Sequence, residues 1–313
     1  MNNLRLKDYF RPAAKWFRLL LRMLRFDQNM RGASMFPPGH YYSPLLDIQD
    51  LDLGAGKVAF DGPEYWECVD LRAQDQRAYY LDLIERFPPL PFPKVKDANY
   101  RYYSENPFFP FSDAYTLSAI IAKERPRRII EIGSGFSSAV MLDTVAKAGP
   151  IELTFIDPFP ERLKTLLSST DQSSVRLLAQ QIQTVELSLF DELNAGDILF
   201  IDSSHVAKIG SDLTFILLRI LPRLRAGVLV HFHDIFYPFS YSIEWIREGI
   251  AWNESLFLRA FLLDNPRYEV LAFNSFSGYT FPEIFRGLLD RFLENTGGSF
   301  WLRKRQASTN EVN

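Results

Sequence analysis

The chain has 313 residues and a formal net charge of −3. That length fits one large domain or two ordinary ones, and the near-neutral balance gives nucleic acid no electrostatic footprint. Hydrophobic residues make up 47%, enough for a packed core, and a single cysteine, Cys68, excludes an intrachain disulfide or a multi-cysteine zinc site.

Residues 1–31 carry eight basic residues against Asp8 and Asp27, a local net charge of +6. Phe17, Leu20, Leu21 and Leu24 follow helical spacing, with Lys15, Arg18, Arg22 and Arg25 on another face. This predicts a basic amphipathic helical extension over 1–35. Two partners suit it: an anionic membrane surface, or the chain's own domain or another subunit, which includes a homo-oligomer. No stretch reaches the roughly 20 apolar residues that span a bilayer. The first residues also lack an apolar signal region with a small-residue cleavage site. The expected location is cytoplasmic, with peripheral membrane attachment through this helix as the variant.

Residues 36–112 are rich in aromatic residues and proline, as in Phe87-Pro88-Pro89 and Pro107-Phe108-Phe109-Pro110. Such segments favour extended, irregular backbone, yet they are too apolar for a disordered linker. They are predicted to form a cap packed on the core. His40, within Gly39-His40-Tyr41-Tyr42, reads as packing or turn chemistry.

From 113 to 305 the pattern becomes regular. Helices are predicted over Asp113–Lys123, Ser137–Ala148, Pro160–Leu167, Val185–Leu193, Ser211–Leu221 and about 282–294. Between them fall apolar strands at 128–132, 152–157, 175–179, 197–202 and 227–234. Two further strands follow at 268–273 and 299–302. Alternation of helices with near-continuous apolar strands predicts an α/β fold, a doubly wound, mostly parallel seven-stranded sheet of Rossmann-like form. Residues 306–313 read as a disordered tail.

The first strand leads into Glu131-Ile132-Gly133-Ser134-Gly135-Phe136-Ser137-Ser138, a glycine-rich turn opening a helix. Glycines allow a sharp turn close to a ligand, and the helix start supplies unpaired N–H groups. The third glycine of a dinucleotide fingerprint is replaced by Ser138, and Glu131 beside the turn would repel a pyrophosphate. The pattern resembles motif I of class I S-adenosylmethionine (SAM)-dependent methyltransferases. That resemblance implies SAM as cofactor, bound by Glu131, Gly133, Ser134, Gly135 and Ser137, with Glu131 near its methionine end. Asp157, 24 residues beyond Gly133, would take the ribose hydroxyls and Gln183 the adenine.

Ligands in open α/β sheets bind outside the carboxyl ends of the strands, which also brings together Asp202-Ser203-Ser204-His205 and His233-Asp234. In metal-dependent O-methyltransferases of similar arrangement, the positions of Asp202, His233 and Asp234 hold a divalent cation such as Mg²⁺, although His233 stands where a carboxylate is usual. His205 is then the catalytic base beside Asp202. His231, on the same side of its strand as His233, reads as structural. The stretch 197–234, with "GHYYSP", "NPFFPFSDAY" and "WNESLFLRAFL", resembles one bacterial branch of the Methyltransf_24 family over about 36–305. The implied activity is methyl transfer to a hydroxyl oxygen of a small molecule or sugar. Three alternatives stay open: an NAD-dependent enzyme, a metal-dependent hydrolase and a non-catalytic binding protein.

Overall fold

The computed structural model describes residues 35–45 and 69–306, Ser169 excepted. The chain divides into two compact units, residues 1–61 with 246–251 and residues 62–245 with 252–313. The basic helix expected over 1–35 lies outside the described residues but for Met35, as does the tail beyond Gln306. No helix among the described residues is long and apolar enough to cross a membrane.

In the first unit, residues 35–45 form successive turns. His40 stacks on Phe36 and Tyr41, with ring centroids 4.5 and 4.4 Å apart, and its Nδ1 accepts the Tyr42 N–H at 3.1 Å. That is the packing and turn role expected of it.

The second unit is built on seven strands: β1 (Arg128–Ile132), β2 (Glu152–Ile156), β3 (Arg176–Leu178), β4 (Ile198–Ile201), β5 (Leu229–Phe232), β6 (Tyr268–Phe273) and β7 (Phe300–Lys304). Their order is β3-β2-β1-β4-β5-β7-β6, and β7 enters antiparallel between β5 and β6 while the rest run parallel. The mostly parallel seven-stranded sheet is therefore as the sequence predicts. Apart from a bulge in β6 between Val270 and Ala272, residues alternate between two hydrophobic layers, as the period of a strand requires. Ile129, Ile198, Phe200, Leu229 and Trp301 join one layer; Ile130, Leu199, Ile201, Val230 and Leu302 join the other. The first layer is covered by α1 (Ala73–Arg86), α2 (Phe111–Glu124) and α3 (Phe136–Ala148). After β2 come α4 (Glu161–Leu166) and the single turn α5 (Asp171–Ser174).

Several predicted helices are shorter than their patterns. The segment 185–193 keeps one helical turn, α6 (Ser188–Asp191), preceded by a 3₁₀ turn at Ile182–Thr184. The helix over 211–221 begins as α7 (Asp212–Phe215) and widens into a π-turn at Ile216–Ile220. Pro222, which has no N–H to give, causes the widening. After β5 comes α8 (Glu254–Leu262), and α9 (Asn274–Thr280) follows β6. The helix expected over 282–294 survives as a 3₁₀ turn at Pro282–Ile284 and as α10 (Asp290–Glu294); between them Gly287 takes φ +83°.

Candidate active site

The carboxyl edge of β1, β2, β4 and β5 gathers Glu131, Asp157, Asp202, His233 and Asp234 within one register of the sheet. Gly133 turns the chain out of β1 with φ +83°, and a Cβ there would stand 1.7 Å from the Asp202 carbonyl oxygen. Only glycine combines that backbone with that approach. Gly133→Ala is expected to destabilise the unit by on the order of 3 kcal/mol, through strain and overpacking. Chemical denaturation measures this, and a loss below about 1 kcal/mol would show that the two backbones can separate freely.

Beyond Gly133 the turn is organised by side chains. Ser137 and Ser138 each donate a hydroxyl to one oxygen of Glu131, which is fully buried. Burial pushes the Glu131 carboxyl up to about 8 in spite of these donors. Ser134 gives its N–H and hydroxyl to Asp157 Oδ2, at 3.1 and 2.7 Å, and the Phe159 N–H reaches Oδ1 at 2.7 Å. The backbone thus fixes the Asp157 carboxylate over the turn. Gln183 donates its amide to the Gly210 carbonyl at 2.9 Å and so ties two loops on the same edge.

The second cluster forms between β4 and β5. His205 Nδ1 meets Glu254 Oε2 at 2.6 Å, and its Nε2 faces Asp202 Oδ1 at 3.5 Å and Asp234 Oδ2 at 3.7 Å. His233 Nε2 meets Asp113 Oδ2 at 3.1 Å, while its Nδ1 faces Asp202 and Asp234 at 3.7 and 3.6 Å. Asp202 and Asp234 stay partly open to solvent, with side chains 33% and 21% exposed. His205 and Asp234 both adopt left-handed backbone, φ 59° and 55°, a strain that the surrounding bonds hold in place.

These contacts set the charges. Burial opposes a cationic His205, yet its bonds to Asp202 and Glu254 push it up to about 10. Burial likewise opposes a charged His233, but Asp234, Asp202 and Asp113 hold it well above its usual value. Asp202 lies well below the carboxylate range because the two imidazoles outweigh its burial. His205 and Glu131 bind their protons more tightly folded than unfolded. The stability this gives is complete below their unfolded values and is lost as pH rises through about 8 for Glu131 and about 10 for His205. The melting temperature is expected to fall steadily from about pH 6 to about pH 10, and a flat or rising profile would contradict these shifts.

Four residues of this cluster are not evident in the sequence. Asp113, fully buried on α2, accepts from Asn274 Nδ2 at 2.8 Å and from the N–H groups of Gly298 and Ser299 at 3.1 and 3.0 Å, besides His233. Gly297 makes this possible, since a Cβ on it would stand 2.2 Å from Asp113 Oδ1. Trp252, Asn253 and Glu254 clamp the loop after β4. Trp252 packs on His205 at 4.2 Å, the N–H groups of Asn253 and Glu254 donate to the His205 carbonyl, and Asn253 Oδ1 accepts the Ala207 N–H at 2.6 Å. One signal was available: "WNESLFLRAFL" sets an acidic residue at the start of a mostly apolar helix. His231 is structural as expected. It is fully buried, stacks on Phe200 at 3.8 Å, meets Ser299 Oγ at 3.1 Å, and burial holds it well below its usual value.

The two cofactors implied by the sequence fit unequally. Asp157 Oδ1 accepts one bond and keeps a lone pair, and the Ser134 hydroxyl can rotate away from Oδ2, so a cis-diol can be received. For a divalent cation, no group of three or more His, Cys, Asp or Glu among the described residues is arranged as a ligand set. A metal ligand must be a deprotonated imidazole, whereas His233 is held as a cation with Nε2 engaged by Asp113. The expected ligands Asp202, His233 and Asp234 are thus joined to one another as ion pairs and do not fit a divalent cation.

The family model described as a methyltransferase domain, Methyltransf_24, matches residues 130–235, from β1 to just beyond β5. An uncharacterized protein of Archaeoglobus fulgidus is 34% identical over 170 residues, 51% of this chain and 74% of its own length. Among solved structures, the S-adenosylhomocysteine (SAH)-bound methyltransferase PaMTH1 of Podospora anserina is 14% identical, covering 87% of this chain and 99% of its own at a TM-score of 0.40. The O-methyltransferase TomG of Streptomyces achromogenes, with SAM bound, is also 14% identical, covering 82% and 96% at 0.40. Likeness at that level adds nothing to the strand order above.

Proposed function

The chain belongs to the Methyltransf_24 family of methyltransferase domains, and from that premise we propose that it is a SAM-dependent methyltransferase acting on a hydroxyl oxygen of a small molecule or sugar. One observation carries this reading. The Glu131–Ser138 turn with Asp157, and the imidazole of His205, lie at the carboxyl ends of adjacent strands β2, β1 and β4. A cofactor cradle therefore stands beside a group that can handle a proton.

When bound, SAM supplies an electrophilic methyl group. The roles of the protein's own residues follow from their contacts. Asp157 receives the ribose, and Ser134 and Phe159 orient it. Glu254 fixes the His205 ring so that Nε2 points toward Asp202 and Asp234. In the resting site Asp202 and Glu254 keep His205 protonated. The neutral imidazole forms by loss of this proton to solvent, in a fraction that grows as pH rises toward about 10. Nε2 then accepts the proton of the acceptor hydroxyl.

His205→Ala is expected to leave SAM binding unchanged and to lower turnover about 10²- to 10⁴-fold, the usual contribution of a general base. Equal turnover would remove the base assignment. Calorimetric titration with SAM, SAH and NAD, with and without Mg²⁺, separates the rival functions. We expect SAM and SAH to bind indifferently to Mg²⁺ and NAD not to bind. Binding of NAD alone would overturn the proposal.

A further inference from the structure

Arg162 lies in the first turn of α4, and its side chain arches over the glycine turn. Its Cδ stands 3.1 Å, and its Nη1 3.7 Å, from where a Cβ on Gly135 would be. The guanidinium carbon sits 3.7 Å from the centroid of the Phe108 ring. Phe108 in turn stacks on Phe136, the opening residue of α3, at 6.1 Å and 20°. Asn106 holds this strap in place, its Oδ1 accepting the N–H groups of Phe108 and Phe109 at 3.0 and 2.8 Å. No carboxylate pairs with Arg162 among the described residues, so a ring face is its partner there. A cation–π contact at an exposed site is weak, so the guanidinium can turn to a better partner.

The surroundings favour an anion. The N–H groups of Phe136, Ser137 and Ser138 open α3 without intrahelical acceptors, and the helix dipole is positive at that end. Asp157 bounds the other side of the turn through Ser134. A ligand with its ribose on Asp157 and its tail along Gly133–Gly135 brings the tail's end group under Arg162. In SAM the one anionic group is the carboxylate of the methionine moiety. We infer that Arg162 is a cofactor-anchoring residue, its guanidinium pairing with that carboxylate at the amino end of α3. Two parallel N–H donors suit a carboxylate, which a lysine meets only as a point charge.

This inference rests on the cofactor reading above, and the test keeps the two apart. SAH and 5′-methylthioadenosine share the adenosine, but the second lacks the amino-acid carboxylate. Both are titrated calorimetrically into the wild-type chain, Arg162→Ala and Arg162→Lys. Arg162→Ala is expected to weaken SAH about 10- to 100-fold, the range of one lost charge-assisted bond, and to leave 5′-methylthioadenosine unchanged. Arg162→Lys should recover part of the loss. An equal loss for both ligands would place Arg162 at the adenosine end and overturn the inference, as would no loss for either. Failure of SAH to bind the wild-type chain would overturn the cofactor reading itself, and Arg162's role with it. Phe108→Leu, which removes the stacking ring but leaves Arg162, should retain SAH binding within about threefold; a loss as large as that of Arg162→Ala would assign the anchor to the aromatic strap.

Discussion

Asp157→Ala is expected to weaken SAM binding by at least about 100-fold, because a carboxylate receiving two ribose hydroxyls contributes two charge-assisted bonds of about 1.5–3 kcal/mol each. The same substitution leaves the N–H groups of Ser134 and Phe159 without their acceptor, so the turn itself loosens. Asp157→Asn is the control. It keeps one acceptor oxygen and the side-chain shape, and should lose roughly one of the two bonds, about 10-fold or more. Calorimetry gives the affinities, and the melting temperature without ligand reports whether the turn stays folded. An unchanged dissociation constant in Asp157→Ala would remove this residue from the cofactor site.

The largest expected effect on stability belongs to Asp113→Ala. Asp113 lies in the stretch "NPFFPFSDAY" with no role read for it there, yet four donors converge on its buried carboxylate: His233, Asn274, Gly298 and Ser299. Asn274 also accepts hydroxyls from Tyr80 and Thr116, so α1, α2, β5, α9 and the entry to β7 share one network. Removing one partner of a buried ion pair costs about 3–5 kcal/mol, since the other charge is left uncompensated. Denaturant unfolding of Asp113→Ala should show a loss in that range. Asp113→Asn keeps an acceptor and should lose less. A loss under about 1 kcal/mol would mean that His233 finds another counter-charge in Asp234 or Asp202, at 3.6 and 3.7 Å.

The sheet was legible because a parallel strand buried on both faces leaves a short apolar run between breakers. Ile129–Ile132 and Ile198–Ile201 are such runs, and two carboxylates, Glu131 within the first and Asp202 just after the second, stood out by contrast. The single-turn helices were harder to read. Leu187, Leu189, Phe190 and Leu193 keep helical spacing, but the burial they report is satisfied by one turn before the chain enters β4. Periodicity signals which face is buried and leaves the length of the helix open.

The site divides along the same line. Glu131, Gly133, Ser134 and Ser137 lie within one local turn, and Asp157 follows one strand later, so the resemblance to a family motif could name them. The partners of the histidines come from distant sequence. Asp113 lies 120 positions before His233, and Glu254 lies 49 after His205. The charge state of His205 depends on those partners. A histidine read alone has a pKa suited to a base, whereas His205, bonded to Asp202 and Glu254, keeps its proton up to about pH 10.

The central claim is that the turn at Glu131–Ser138 and Asp157 form the seat of SAM beside His205. A crystal structure of the chain with SAH tests it most directly. The account predicts the ribose hydroxyls on Asp157, the amino-acid tail along Gly133–Gly135 and the sulfur facing the His205–Asp202–Asp234 cluster. SAH bound elsewhere, or seated on the turn with its sulfur directed away from His205, would contradict it.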